Sequence, residues 1–253
     1  VTAVLLVTDD REYLREPGDR LETDLGVLDI PVEVEPGETL ETHLGTEFRV
    51  RALRGPDLFN HFERTGAPMM PRDIGLIVGH TGVAAGDRVL DAGTGTGVLA
   101  AYLARAGASV VTYEQDSEFA DVARENMALA GVVGAESGDE AESVPEPGSA
   151  AVRAGDVLDA AEDLPEFDLV TLDTADAPAV VEHAPDLLVS GGFLAVYSPF
   201  VEDSRAVVES ARDAGLAVET YETIQREMDF DERGTRPSTA GVGHTGYLVF
   251  GRN

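Results

Sequence analysis

The apolar positions follow two rhythms. From Val1 to about Gly66, short runs such as VLLVTD, VEVE and EFRVRAL are broken by the turn signals Pro17-Gly18 and Pro36-Gly37, a pattern that predicts a small β module. From Pro71 onward, runs rich in Val, Leu, Ile, Phe or Tyr alternate with helix-like segments: RVLDAG, ASVVTYE, AAVRAGD, FDLVTLD, GFLAVYS, LAVETYETI and GYLVFGR. That alternation predicts an α/β layer architecture on a mainly parallel sheet. No helical pattern separates the last two runs, so they are expected to pair antiparallel at the sheet's edge. The change of rhythm divides the chain into an N-terminal β domain, residues 1–66, and an α/β domain, residues 67–253. Between Gly134 and Ala150 the acidic, Pro/Gly/Ser-rich stretch ESGDEAESVPEPGS has no apolar period and predicts a mobile surface loop.

Composition sharpens this picture in two ways. A hydrophobic content of 43% supplies a core, and the absence of cysteine removes disulfides, thiolate metal sites and cysteine nucleophiles. No stretch approaches the roughly 18 apolar residues of a membrane span, and VTAVLLVTDD turns acidic too soon for a secretory signal, so a cytoplasmic protein is expected. The charge is more telling. Against 48 acidic residues stand 18 arginines and no lysine, a net charge of −30. Such a surface suits concentrated salt, where the Debye length shrinks to about 3 Å at 1 M and self-repulsion is screened. A halophilic source follows as an expectation, and acidity here does not argue against a nucleic-acid substrate.

The chemistry centres on Asp91-Ala92-Gly93-Thr94-Gly95-Thr96-Gly97, set between the apolar run RVL and the helical segment VLAAYLARAG. A strand, a glycine-rich turn and a helix start bring backbone N–H groups close to a ligand. A dinucleotide fingerprint needs glycine three positions beyond Gly95, where Val98 stands instead. Asp91 would repel a pyrophosphate, whereas the cationic amino-acid end of S-adenosylmethionine suits it, directly or through water. Glu114 ends the second strand, where a carboxylate can accept both hydrogen bonds of a ribose diol, and Asp156 ends the third, within reach of an adenine amino group. Gly93, Thr94, Gly95, Thr96, Gly97 and Val98, with Gln115 and Val157 beside the two acids, complete the candidate cofactor set.

With loop, strands and acids in place, the chain resembles the tRNA (adenine-N1)-methyltransferases that modify adenine 58, and in archaea also adenine 57, of the T-loop. The likeness runs over nearly the whole length: THLGTEF at Thr42 to Phe48, RTGAPMMPRD at Arg64 to Asp73, Arg236-Pro237, and most specifically Gly243-His244-Thr245-Gly246-Tyr247-Leu248. It implies a Rossmann-like class I methyltransferase fold, S-adenosylmethionine as cofactor with S-adenosylhomocysteine as product, tRNA as substrate and a homotetramer. It also implies that Asp173, ending FDLVTLD, is both the catalytic aspartate and part of the cofactor site. The family's Pro- and Trp-containing segment after that aspartate is replaced here by Thr174-Ala175-Asp176-Ala177-Pro178.

Adenine N1 carries its own lone pair, so positioning is the main requirement, and a carboxylate accepting from the N6 amino group stabilises the positive charge that develops. Because N1 lies on the pairing edge, the base must leave its stack. Tyr197, Phe200 and Tyr247 are candidates to receive it, His244 and Thr245 to hydrogen-bond it, and Arg236, in the loop RGTRPSTAGVGHTG, to contact phosphate. His43, His61, His80 and His183 show no ligand spacing, so no metal is implied. Two rivals remain: another methyltransferase of the same fold, of precorrin or isoaspartyl type, and a non-catalytic tRNA-binding subunit.

Overall fold

In the computed structural model, which describes residues 3–9, 11–134, 143–241 and 243–253, each of the seven apolar runs is a strand. They are β7 (Arg88–Ala92), β8 (Ser109–Glu114), β9 (Ser149–Ala154), β10 (Phe167–Leu172), β11 (Leu188–Ser198), β12 (Ala217–Ile224) and β15 (His244–Arg252). The sheet order is β12-β15-β11-β10-β7-β8-β9, and only β15 runs antiparallel to its neighbours. The expected antiparallel pairing of the last two runs is therefore present, with β15 inserted between β12 and β11. The chain steps outward from β7 through β8 to β9, then returns to the other side of β7 as β10. That reversal opens a crevice at the carboxyl ends of β7 and β10, where α/β sheets receive ligands.

Alternation along each strand feeds two layers. Val89, Val110 and Leu169 face one core with Ile74, Ile77, Leu103 and Met127, whereas Leu90, Val111 and Val170 face the other with Val180, Val181, Leu187 and Val207. The first layer comes from α2 (Pro71–Thr81), α3 (Val98–Arg105) and α4 (Ser117–Ala130), the second from α6 (Ala177–Glu182), α7 (Ala184–Leu187) and α8 (Val201–Asp213). A short α5 (Val157–Ala160) follows β9, and Asp156 caps it by accepting from the Leu158 N–H at 2.9 Å.

The N-terminal residues build a second sheet, β2-β1-β6-β5, from β1 (Val4–Val7), β2 (Glu12–Arg15), β5 (Thr39–Glu41) and β6 (Glu47–Ala52), together with the hairpin of β3 (Arg20–Thr23) and β4 (Gly26–Asp29). Phe48, Leu6, Val50, Leu21 and Leu28 fill its core, and α1 (Gly55–His61) leads out of it. The expected strand VEVE is not one. Pro31 and Pro36 flank it, neither can donate to a ladder, and Val32 stays 76% exposed, so the segment is irregular. The expected loop RGTRPSTAGVGHTG is likewise partly ordered: β13 (Met228–Asp231) pairs with β14 (Gly234–Pro237) in a two-stranded hairpin turned by Glu232 and Arg233. The loop expected between Gly134 and Ala150 falls largely on residues 135–142, which lie outside the described residues.

Candidate functional site

The crevice at the sheet's carboxyl edge is a cleft of about 320 Å³, within the range of small-molecule sites. Its floor is the turn from β7 into α3, its sides are the ends of β8, β9 and β10, and a wall comes from Thr65 to Met69 ahead of α2. All of the expected cofactor residues line it: Asp91, Gly93, Thr94, Gly95, Thr96, Gly97, Val98, Glu114, Gln115, Asp156, Val157 and Asp173. The wall belongs to the RTGAPMMPRD segment, which marks the family resemblance and is assigned no cofactor contact by the sequence. Its signal is the run Gly66-Ala67-Pro68, too small and too stiff to be either strand or helix.

The turn's glycines serve different ends. A Cβ at Gly93 would come within 2.4 Å of the Asp173 carbonyl, so this position lets the ends of β7 and β10 close together. At Gly95, with φ +51°, a Cβ would meet nothing within 4 Å, so the bare backbone faces the open cleft. The Gly95 N–H donates to Glu114 Oε2 at 2.8 Å, and the Asp116 N–H donates to Oε1 at 3.1 Å, which fixes the Glu114 carboxylate over the turn. Gln115 donates to Asp156 at 3.0 Å and links the two acids at the rim. Asn126, buried on α4, donates to the carbonyls of Thr96 and Glu63 at 2.9 Å each and accepts from the Glu63 N–H at 3.1 Å. It joins the turn to the segment leading into the wall, a role no spacing in the sequence reveals.

Below the turn, Asp91 is 2% exposed, and its two oxygens accept from Thr112 at 2.7 Å and Thr171 at 2.6 Å on the neighbouring strands. Burial pushes its carboxyl up to about 6 against the pull of those two bonds, and nearby Glu114 adds to the rise. Asp173 is pushed further, to about 7, by burial and then by the field of Asp91. The cleft therefore holds two closely placed acids that repel each other and favour a cation. The hydroxyl of Thr96 is buried with no hydrogen-bond partner, so a polar group is left for a ligand to satisfy. A cationic ligand with polar arms and an apolar body fits this lining of acids, hydroxyls, Val98, Leu99, Phe119 and Val180.

None of the expected substrate residues is in the cleft lining, though Tyr197 adjoins it. Tyr197 stands one residue beyond the Leu172–Val196 pair, beside Asp173, and donates its hydroxyl to the Thr245 carbonyl at 2.7 Å. Thr245 donates in turn to Asp73 at 3.1 Å. His244 lies 3.3 Å from Glu222 and edge-on to Tyr247, and Phe200 is 63% exposed ahead of α8. Arg236 sits on β14, paired with Asp229 at 3.5 Å and Asp231 at 3.1 Å across the hairpin. The guanidinium expected to reach phosphate is thus already held by two aspartates.

Comparison with known proteins places this geometry. The family described as "tRNA methyltransferase complex GCD14 subunit" matches residues 61–233. A relative from Methanocaldococcus jannaschii, named tRNA (adenine(57)-N(1)/adenine(58)-N(1))-methyltransferase TrmI, is 34% identical over 99% of this chain and 95% of its own length. The crystal structure of an S-adenosylmethionine-dependent O-methyltransferase from Thermotoga maritima superposes with a TM-score of 0.78 at 26% identity, covering 100% of this chain and 92% of that one. That of the tRNA (m1A58) methyltransferase TrmI from Aquifex aeolicus superposes at 0.72 with 24% identity, covering 99% and 96%, and speaks for the fold. The family match, the near full-length relative and the cleft agree, and the chain belongs to the tRNA (adenine-N1)-methyltransferase family.

Proposed function

We propose that this protein methylates N1 of adenine 58 in the T-loop of tRNA, using S-adenosylmethionine, with adenine 57 as the second position to test. The observation that carries the reading is the placement of Asp173, which lines the cofactor cleft and stands beside Tyr197 at the end of the adjacent strand. One carboxylate thus borders both the methyl donor's site and the space where a base would arrive.

S-adenosylmethionine supplies a methyl group activated by its sulfonium charge. The bare backbone at Gly95 admits the methionine portion, Asp91 attracts its ammonium chiefly through its field, Glu114 takes the ribose hydroxyls, and Asp156 with Val157 borders the adenine. Asp173 accepts from the exocyclic amino group of the target base, whose acidity rises as N1 becomes cationic, and this stabilises the charge where it develops. Tyr197 supports the ring, and Thr245 holds Tyr197. His244 and Arg236 stand at the rim, where carboxylates already engage them.

The deciding experiment is to incubate the protein with unmodified tRNA transcript and methyl-labelled S-adenosylmethionine in concentrated KCl and to map the product by sequencing. The expected result is 1-methyladenosine at position 58. Label on another base, or none on tRNA, overturns the reading.

The finer organisation follows the same reading. The chain divides near residues 66–67 into a β domain and a methyltransferase domain, acts in the cytoplasm and assembles as a homotetramer. Its lysine-free charge of −30 belongs to a halophile, whose thermal midpoint rises from dilute buffer to molar KCl as repulsion is screened. An unchanged midpoint counts against halophily, and light scattering in molar KCl reads the assembly.

A further inference from the structure

The motif Gly243-His244-Thr245-Gly246 enters the last strand, far in sequence from the cleft, and the substrate reading gives no task to its link with α2. Its partners explain it. Asp73, in the first turn of α2, is 0% exposed, and its Oδ1 accepts from Thr245 Oγ1 at 3.1 Å. Its second oxygen is buried with no hydrogen-bond donor, so this carboxylate is not an ordinary surface cap. The helix N-terminus supports its charge. Next to it, Arg72 donates to the carbonyls of Gln225 at 3.2 Å and Gly243 at 3.3 Å. Arg72 and Asp73 thus fasten the entry of β15 to the start of α2.

The fastening continues to the substrate side. The carbonyl of Thr245, whose hydroxyl Asp73 holds, accepts the Tyr197 hydroxyl at 2.7 Å. The residue after it is a glycine close against the hydroxyl end of the tyrosine. A Cβ at Gly246 would come within 2.8 Å of the Tyr197 ring and hydroxyl, and within 2.6 Å of the Ser198 carbonyl. The Tyr197 phenol is pushed up to about 12, by burial first and then by the fields of Asp73 and Asp173, so both carboxylates are near it. Tyr197 is therefore pinned at its hydroxyl end, bonded to Thr245 and closely approached by Gly246, one strand over from Asp173.

We propose that Asp73 and Thr245 are positioning residues for methyl transfer, a chain of hydrogen bonds from Asp73 through Thr245 to the Tyr197 hydroxyl that sets the ring against which the target adenine rests. This rests on the tRNA-adenine reading given above. A base that must be presented with N1 in line to the methyl group is sensitive to small displacements of its support.

Two measurements test it. Thr245→Val keeps the shape of the side chain and removes the donor, Thr245→Ser keeps the donor, and Tyr197→Phe removes the far end. In single-turnover methylation with both substrates saturating, Thr245→Val and Tyr197→Phe should each slow the reaction about tenfold, and the double variant should also be about tenfold slower rather than a hundredfold. Thr245→Ser should restore most of the rate, and S-adenosylmethionine affinity should not move in any of them. Independently of any RNA, the protein is labelled with 3-fluorotyrosine, and Tyr197→Phe assigns one of its six tyrosine signals. Thr245→Val and Asp73→Asn should each shift or broaden that signal. Rate losses that multiply, or a Tyr197 signal indifferent to Thr245→Val, overturn the proposal. A wild-type protein inactive on tRNA overturns the activity instead, and the fluorine signal still decides the positioning.

Discussion

The two halves of the central sheet are held together differently. Around β7 and β8 the decisive contacts are local: Thr112 reaches Asp91 across 21 residues, and Gly95 reaches Glu114 across 19. Around β11 and β15 they span almost the whole domain, with Thr245 reaching Asp73 across 172 residues and Arg72 reaching Gly243 across 171. The first half is one strand-turn-helix-strand unit whose geometry the chain sets as it folds on itself. The second exists only once the last strand has inserted between β11 and β12. The proposed cofactor contacts therefore lie mostly on the local half, and the proposed support for the base lies on the half closed by long-range contacts.

Variants can break or sharpen that contrast. The largest effect is expected at Gly95→Val, where a branched side chain would fill the open space at the turn and oppose φ +51°. Calorimetry should show S-adenosylmethionine affinity falling by more than about a hundredfold, since even a few kcal/mol of lost contact does so. Circular dichroism should remain that of the folded protein. Near-normal affinity would remove the turn from the cofactor site.

Asp173 joins the two halves, and Asp173→Ala should slow single-turnover methylation about a hundredfold while leaving tRNA binding nearly intact. Its pKa gives a second readout. The accepting form is the carboxylate, so the rate should climb as pH rises through about 7, beginning lower when bound cofactor adds positive charge nearby. Asp173→Asn should lack this climb. Stability should run the other way. A carboxyl raised in the folded state contributes stability at pH below its unfolded value, near 3.8, and loses it as pH rises through about 7. Asp173→Asn should therefore melt a few degrees higher than wild type at pH 8. A flat pH–rate profile in the wild type with full activity in Asp173→Ala would place Asp173 with the structure alone.

Asn126→Ala probes the local half from behind, removing three hydrogen bonds that tie Thr96 to Glu63. Stranding these buried groups costs about 2–3 kcal/mol of stability, and the loosened wall should weaken cofactor affinity about tenfold. Chemical denaturation and calorimetry read the two effects separately. An affinity unchanged in a destabilised variant would detach the wall from binding.

The smallest effect is expected at Arg236→Ala. Its guanidinium is balanced by Asp229 and Asp231 on an exposed hairpin, and exposed pairs contribute little. Affinity for tRNA should change by less than about twofold in molar salt. A larger loss, with a lower salt slope, would show that the hairpin releases Arg236 to phosphate.

The sequence by itself determined the seven strands, the turn from Asp91 to Gly97 and the acids at the strand ends, because alternation, glycine spacing and strand termini are local properties. It misjudged VEVE, where two flanking prolines outweigh the alternation, and the loop from Arg233, whose first residues pair as β14 with β13 although the exposed GTRP of β14 carries no hydrophobic alternation. Only the tertiary structure decided that Asn126 braces the turn, that Thr65 to Met69 form a wall, and that two aspartates engage Arg236. The same holds for the line from Asp73 to Tyr197. Its members are far apart in the chain, and burial creates both their hydrogen bonds and the raised carboxyl of neighbouring Asp173, neither of which exists until the sheet has closed around them.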